Sequence, residues 1–284
     1  MVMIGSPLHL LWDFDREAPT LGGALVLRQE GERLAADRGI QEVVLHLAGE
    51  SSKNLPDRLI QTVFKTSDLT FHITRDTAPP DAWPVEIERR QANFSYFSFS
   101  RLKQLYPDVG DTPRLRWSSE VEQHARVLRS RWKGRLICVH LRYVSPFSVE
   151  ESSADGNVWG KVLNQMVSPG VLEFLLLGDD PLPPGMELVP GISRATDLQI
   201  DLATQLALVA QADGFLGMAS GLCTAANLSA VPHVIFKHPC HHAEQMNREL
   251  GEADRFPFAG DKQRLWRRHT TVETIKEALR LILA

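Results

Sequence analysis

DLATQLALVAQADGFLGMASGLCTAANLSAVPHVIFK, the stretch from Asp201 to Lys237, decides the fold. Asp201 to Ala212 is rich in Leu and Ala and reads as a helix. Gly214 to Met218 reads as a strand, Ser220 to Ala230 as a second helix, and His233 to Lys237 as a second strand. Short apolar runs alternating with helical runs predict a parallel α/β sheet. Upstream, Leu136 to Val144 predicts a strand, Val158 to Val167 a helix, and Val171 to Leu177 a strand ending in Gly178-Asp179-Asp180. Downstream, His242 to Leu250 and Thr271 to Leu283 predict helices, the last N-capped by Thr270 or Thr271.

The N-terminal half has the same rhythm in a shorter form. Leu8 to Phe14 predicts a strand, and Thr20-Leu21-Gly22-Gly23 opens a helix to about Arg38. In that helix Leu25, Leu27 and Leu34 sit among Arg28, Glu30, Glu32 and Arg33, which predicts one wet face. Strands at Glu42–Ala48 and Leu69–Thr74 flank a helix from Asp57 to about Lys65, with Pro56 suited to its first turn. Beyond them lie an irregular middle, an aromatic patch from Asn93 to Phe99, and a helix from Ser118-Ser119-Glu120 to about Trp132. The patch reads either as core packing or as an exposed acceptor platform. The prediction is two Rossmann-like α/β units facing each other across a cleft, residues 1–115 and 116–284, with the ligand site at the carboxyl ends of their strands.

Composition excludes several classes. The 284 residues are 43% hydrophobic and 23% charged, ordinary usage for a globular protein. The net charge of −4 offers no broad attraction to nucleic acid, so no nucleic-acid partner is expected. Cys138, Cys223 and Cys240 are widely spaced, which predicts buried thiols in a reducing compartment and no thiolate zinc site. Met1 to Leu11 lacks the basic start of a signal peptide, so the expected location is cytoplasmic.

Four loops that follow strands are the candidate chemistry. At Asp13-Phe14-Asp15 one carboxylate could serve as a general base, and Gly22 and Gly23 could let the backbone approach an anion; a plain turn and N-cap explains the same residues. His140 and Arg142 alternate onto one side of their strand, where a buried guanidinium needs either a diphosphate or an internal carboxylate. The loop beyond, with Asp155 and Asn157, either covers a ligand or caps the next helix. Asp179 and Asp180 read as acceptors for a ribose or base, or as turn formers. Ser220-Gly221, opening a helix, exposes backbone N–H groups that suit phosphate. Cys223 reads as a small apolar residue rather than a nucleophile. His241-His242 are expected to point apart on a helix, and Arg264, Arg267 and Arg268 with Trp266 to form a solvated surface knot. There is no Walker loop and no GxSxG elbow.

On these residues the second half resembles the donor-binding lobe of GT-B-fold glycosyltransferases. Asp201…Gln205…Gln211-Ala212-Asp213…Phe215-Leu216-Gly217…Ser220-Gly221 is similar to the heptosyltransferases, with Ala219 where an Asp is usual and Thr224 where a His is usual. His140-Leu141-Arg142, Asp179-Asp180 and Ala212-Asp213…Ser220-Gly221 are similar to the α-1,6- and protein-O-fucosyltransferases. The resemblance covers roughly residues 136–284. It implies an enzyme that moves a sugar from a nucleotide-diphosphate sugar to an acceptor hydroxyl, inverting and without a metal or other cofactor. Arg142 would grip the β-phosphate, Ser220, Gly221 and Thr224 would add donor contacts, His140 would stand beside them, and Asp179 or Asp180 would face the nucleoside. The acceptor would be a glycan, a lipid-linked molecule or a protein, so a peripheral membrane location stays open. A sugar-nucleotide epimerase and a non-catalytic nucleotide- or sugar-binding protein are the alternatives on the same fold.

Overall fold

A computed structural model describes residues 6–17, 19–49, 57–85, 99–108, 111–143 and 153–284. The second half forms a six-stranded sheet in the order β6-β5-β4-β7-β8-β9, every pair parallel. Its strands are β4 (Arg135–His140), β5 (Leu172–Leu176), β6 (Ile192–Arg194), β7 (Gly214–Met218), β8 (His233–Phe236) and β9 (Gln263–Trp266). The four expected strands are present, with β4 ending at His140 rather than Val144. β6 and β9 are additional. From β4 the chain winds outward to β5 and β6, then returns to lay β7, β8 and β9 on the other side. The carboxyl ends of β4 and β7 are therefore the topological switch point of this sheet.

Both faces of the sheet are covered, as a parallel sheet requires. Helices α5 (Gly156–Met166) and α9 (Val272–Leu283) pack together on one face, and α9 also contacts β7 and β8. Helices α6 (Leu202–Val209) and α7 (Thr224–Asn227) lie on the other, with α4 (Ser119–Arg129) against α6. Asp213 sets the register where these meet: its Oδ2 accepts from Leu136 N at 2.8 Å and from the Arg129 guanidinium at 2.5 Å. α4 is capped by Ser118, α5 by Asp155 and α9 by Thr271, each through its own side-chain oxygen. α8 (Ala243–Leu250) follows β8.

One prediction needs correcting here. The helix expected over Ser220–Ala230 is a single turn, Thr224–Asn227, and Ser220 to Cys223 form a tight turn before it. Thr224 N and Ala225 N donate three residues back, to Gly221 O and Leu222 O. A one-turn helix sums too few peptide dipoles to attract an anion strongly, so the turn's own N–H groups and hydroxyls are what it offers.

The first half forms a parallel three-stranded sheet, β1 (Leu8–Asp13), β2 (Glu42–Ala48) and β3 (Thr70–Thr74), as expected. Trp83 adds a bridge to β1: Leu11 N donates to Trp83 O, and Trp83 N to His9 O. Helices α1 (Leu21–Arg38), α2 (Asp57–Val63) and α3 (Ser100–Leu105) complete it. Pro56, expected at the start of α2, lies outside the described residues, as does the aromatic patch apart from Phe99.

α1 has no wet face along Arg28–Glu32, which corrects the expectation for those charges. Arg28, Gln29, Glu30 and Glu32 are all buried. α1 lies between the first sheet and the helices of the second half, touching β1, β2, α2, α3 and α7. Its charges are paired. Arg28 Nε donates to Glu32 at 2.6 Å, and its guanidinium also reaches the carbonyls of Val63 and Arg116. Glu32 further accepts from Ser67 Oγ and Arg116 N. Glu30 accepts from Arg101 Nε at 2.8 Å and from Trp83 Nε1 at 2.9 Å, and Arg101 also donates to Glu17.

The two halves share one apolar core. A continuous buried cluster runs from Leu10, Trp12, Leu25 and Leu45 to Leu206, Leu222, Phe258 and Leu265, and the face carrying α5 and α9 has its own cluster. Contact between the halves is helical, α1 against α7 and α2 against α6. Gly221 makes one of these approaches possible: a Cβ there would stand 3.0 Å from Gly22 N and 3.1 Å from Leu21 Cβ. No helix among the described residues is long and apolar enough to cross a membrane.

Candidate functional site

A cavity of about 440 Å³ opens at the carboxyl ends of β4, β7 and β8, at the switch point. β4 contributes His140 and, two residues on, Arg142. The turn after β7 contributes Ser220 and Gly221, and α7 contributes Thr224 and Asn227. The loop after β5 contributes Asp180. The first half reaches it through Thr20, the N-cap of α1, and Phe99. Ile235, Met246, Phe256 and Leu265 give it an apolar wall, so one side suits a flat ring or chain and the other suits charge.

Arg142 is half-buried, and among the described residues no carboxylate pairs with it. The internal ion pair that the sequence allowed is thus not formed by any described residue. β4 stops before Arg142, so strand alternation does not aim it; the chain leaving the sheet edge brings it into the same cavity as His140. His140 is buried with Nδ1 at 3.1 Å from Leu177 O, so Nδ1 carries the proton. Burial holds its pKa below the ordinary value and keeps the ring neutral. Gly178, at φ +92, turns the chain from β5 toward Asp180, and Gln205 fixes it by accepting from Gly178 N at 2.8 Å while donating to Ile200 O.

Several predicted residues do not line the cavity. Asp179 is exposed and lies 3.8 Å from Arg58 in an exposed ion pair. Asp13 ends β1, accepts from Asp15 N at 3.1 Å and pairs with Arg16 at 3.3 Å. Asp15 is exposed on the far side of that turn. Gly22 and Gly23 lie inside α1, where Gly23 N donates to Thr20 Oγ1 at 3.1 Å. Asn157 is in the first turn of α5 and donates its N–H to Asp155, the capping arrangement. Cys223 lines the cavity, but its Sγ donates to Met218 O at 2.8 Å and burial pushes the thiol up to about 12, which removes it as a nucleophile. The basic knot is satisfied on the surface: Arg264 pairs with Asp254, Arg267 with Asn247, and Arg268 covers the Trp266 ring and meets Glu277. Phe99 packs on Phe256 with centroids 4.4 Å apart, which is core packing at that position.

The sequence reading missed Lys237, His241, His242 and Gln245, all on the cavity wall after β8. His241 and His242 do not point apart. His242 has φ +55, and this left-handed backbone brings the two rings to 3.9 Å between centroids, before α8 begins. The available signal was topological: Lys237 leaves the carboxyl end of a strand in the same sheet as the other candidate loops.

Two α/β units with parallel sheets, joined by one crossing of the chain and carrying a cationic cavity at the switch point of the second, have the GT-B architecture. The crystal structure of the glycosyl transferase family 9 from Veillonella parvula DSM 2008 has this fold, with a TM-score of 0.59 and 11% identity over 100% of this chain and 99% of that one. The structure of E. coli ADP-heptose LPS heptosyltransferase II matches with a TM-score of 0.43 and 14% identity over 90% of this chain and 80% of that one. Fucosyltransferase NodZ from Bradyrhizobium matches with a TM-score of 0.33 and 12% identity over 79% of this chain and 94% of that one. No protein-family model and no curated protein gives a significant match to the sequence. At 11% identity the likeness to the family 9 structure is one of fold; the activity has to be argued from the cavity.

Proposed function

We propose that this chain is a glycosyltransferase that moves a sugar from a nucleotide-diphosphate sugar to an acceptor hydroxyl, with inversion and without a metal ion. The observation that carries this reading is Arg142. It is a half-buried guanidinium with no carboxylate partner among the described residues, and it shares a cavity at a topological switch point with the Ser220-Gly221 turn and Thr224. A planar guanidinium there matches the oxygens of a diphosphate.

In direct displacement at the anomeric carbon, the bond to the diphosphate oxygen breaks as the acceptor oxygen bonds from the opposite face. Negative charge grows on the leaving diphosphate. Fixed positive groups that meet it lower the barrier without a metal. The apolar wall of Ile235, Met246, Phe256 and Leu265 would take the nucleoside or a nonpolar part of the acceptor.

The test is a thermal-shift and calorimetric screen against ADP, GDP, UDP and CDP, followed by Arg142→Ala. At least one nucleotide is expected to bind. Loss of the guanidinium is expected to weaken it about tenfold to a hundredfold, the worth of one charged hydrogen-bonded contact. Unchanged nucleotide affinity in Arg142→Ala would sink the assignment.

A further inference from the structure

The chain behind β8 supplies cavity groups that belong to none of the motifs named above. β8 ends at Phe236, and Lys237 leaves the sheet as the next residue. The following turn doubles back through His241 and His242, and Lys237 Nζ lies 3.4 Å from His242 Nδ1. These three side chains line the same cavity as Arg142.

Sheet order gives the geometry. β7 lies between β4 and β8. Neighbouring strands stand about 4.8 Å apart, so the ends of β4 and β8 are separated by about 10 Å. Arg142 follows two residues after the first and Lys237 directly after the second, and the Ser220-Gly221 turn follows β7 between them. Two long cationic side chains that line one cavity on either side of that turn can together meet a group the size of two linked phosphates.

We propose that Lys237, backed by the His241–His242 turn, is a second phosphate-binding arm of this cavity, so that Arg142 and Lys237 hold a diphosphate from its two sides. The proposal rests on the nucleoside-diphosphate reading of the cavity and adds to it the residues that distinguish diphosphate from monophosphate.

The electrostatics of the empty cavity agree with this geometry. Burial pushes Lys237 down to about 8, with the Arg142 guanidinium acting in the same direction and Glu249 of α8 opposing. Burial first, then Lys237, His242, Arg142 and His238, pushes His241 down to about 4. Burial, Lys237 and Arg142 also lower His242. Asp180 from the β5 loop, neutral His140 from β4 and the Cys223 thiol, held protonated by burial, are the other titratable groups on the wall. Cations crowded among cations lose protons readily; a bound polyanion reverses the direction. At pH 8 Lys237 is about half protonated, because the pH then equals its pKa. The terminal phosphate of a nucleotide is fully ionised at that pH. Binding should therefore take up about half a proton per site.

Isothermal titration calorimetry at pH 8, in Tris and in a buffer of low ionisation enthalpy, measures that uptake. The probes are GDP, GMP, ADP, AMP and inorganic pyrophosphate. Wild-type protein is expected to take up about half a proton with GDP or ADP. Lys237→Met should weaken the diphosphate about tenfold, change the monophosphate less than about threefold, and abolish uptake. Lys237→Arg should keep the affinity within about threefold and also abolish uptake, because a guanidinium stays protonated. Wild-type diphosphate affinity in Lys237→Met, or affinity lost in Lys237→Arg, overturns the proposal and leaves the nucleotide reading standing. Binding of pyrophosphate that depends on Lys237, with no nucleotide bound, overturns the nucleotide reading and leaves the arm standing.

Discussion

Glu30 has no exposed surface, yet both of its oxygens are occupied, by Arg101 and by Trp83 Nε1. Arg101 is nearly as deep and bridges Glu30 to Glu17, so its guanidinium is held firmly protonated by two carboxylates. This arrangement ties α1 to α3 and to the Trp83 bridge. A buried pair adds little net stability, but breaking it strands a charge. Arg101→Met is accordingly expected to destabilise the protein by about 3–5 kcal/mol, read from the urea midpoint. The double variant Arg101→Met/Glu30→Gln should recover much of that loss, because the neutral amide still accepts from Trp83. These charges also mark where residue-level reading fails. Arg28, Glu30 and Glu32 look solvent-facing in sequence because their partners, Arg116, Arg101 and Ser67, lie 35 or more residues away. His242 fails for a different reason: its left-handed backbone leaves no trace in a His-His-Ala run. His140 closes a buried strand, and Arg142, Ser220 and Thr224 come after one; such positions open at the sheet edge whatever the partners, which made them legible.

The elements that could be read are those whose burial is decided locally. β4, β5, β7 and β8 are short apolar runs in a fully covered sheet, and that composition appears in the sequence directly. β6, with three residues, and β9, with the polar sequence Gln263-Arg264 at its start, lie at the two edges and carry no such run. α3 is six residues long, and only its packing against α1 explains it. Caps were easier, since their chemistry is local. Thr271 accepts from Thr274 N, and the Thr274 hydroxyl accepts from Thr271 N, a reciprocal box that starts α9. α9 then buries Ile275, Ala278, Leu279 and Ile282 on the face of the second sheet opposite α6 and α7. Thr271→Ala should cost about 1 kcal/mol in the denaturation midpoint and leave nucleotide affinity unchanged, because the cap lies outside the cavity. A change in nucleotide affinity without a change in stability would mean that α9 communicates with the cavity by some other route.

Two sheets of three and six strands suggest two bodies hinged at a cleft. Their packing argues for one cooperative unit. The apolar cluster between them is continuous, running from Trp12 and Leu25 into Leu206 and Leu222, and Phe99 from the first half lies against Phe256 and Phe258 of the second. Pulling the halves apart would expose this cluster and unpair Arg28 from the Arg116 carbonyl that begins the second half. Exposed apolar area costs about 25 cal/mol per Å², so this shared cluster opposes separation of the halves. The first half, with three strands among the described residues, has its core fused with that of the second, from Trp12 and Leu25 onward. Urea unfolding is therefore expected to be a single transition, with coincident midpoints from tryptophan fluorescence, which samples Trp12, Trp83, Trp117, Trp132, Trp159 and Trp266 across both halves, and from far-UV circular dichroism. A nucleoside diphosphate at a hundred times its Kd should move both probes together by about 2.7 kcal/mol, although most of its contacts lie in the second half. Separate midpoints, with only the later one moved by nucleotide, would show instead that the halves fold independently and that the shared cluster is only a docking surface.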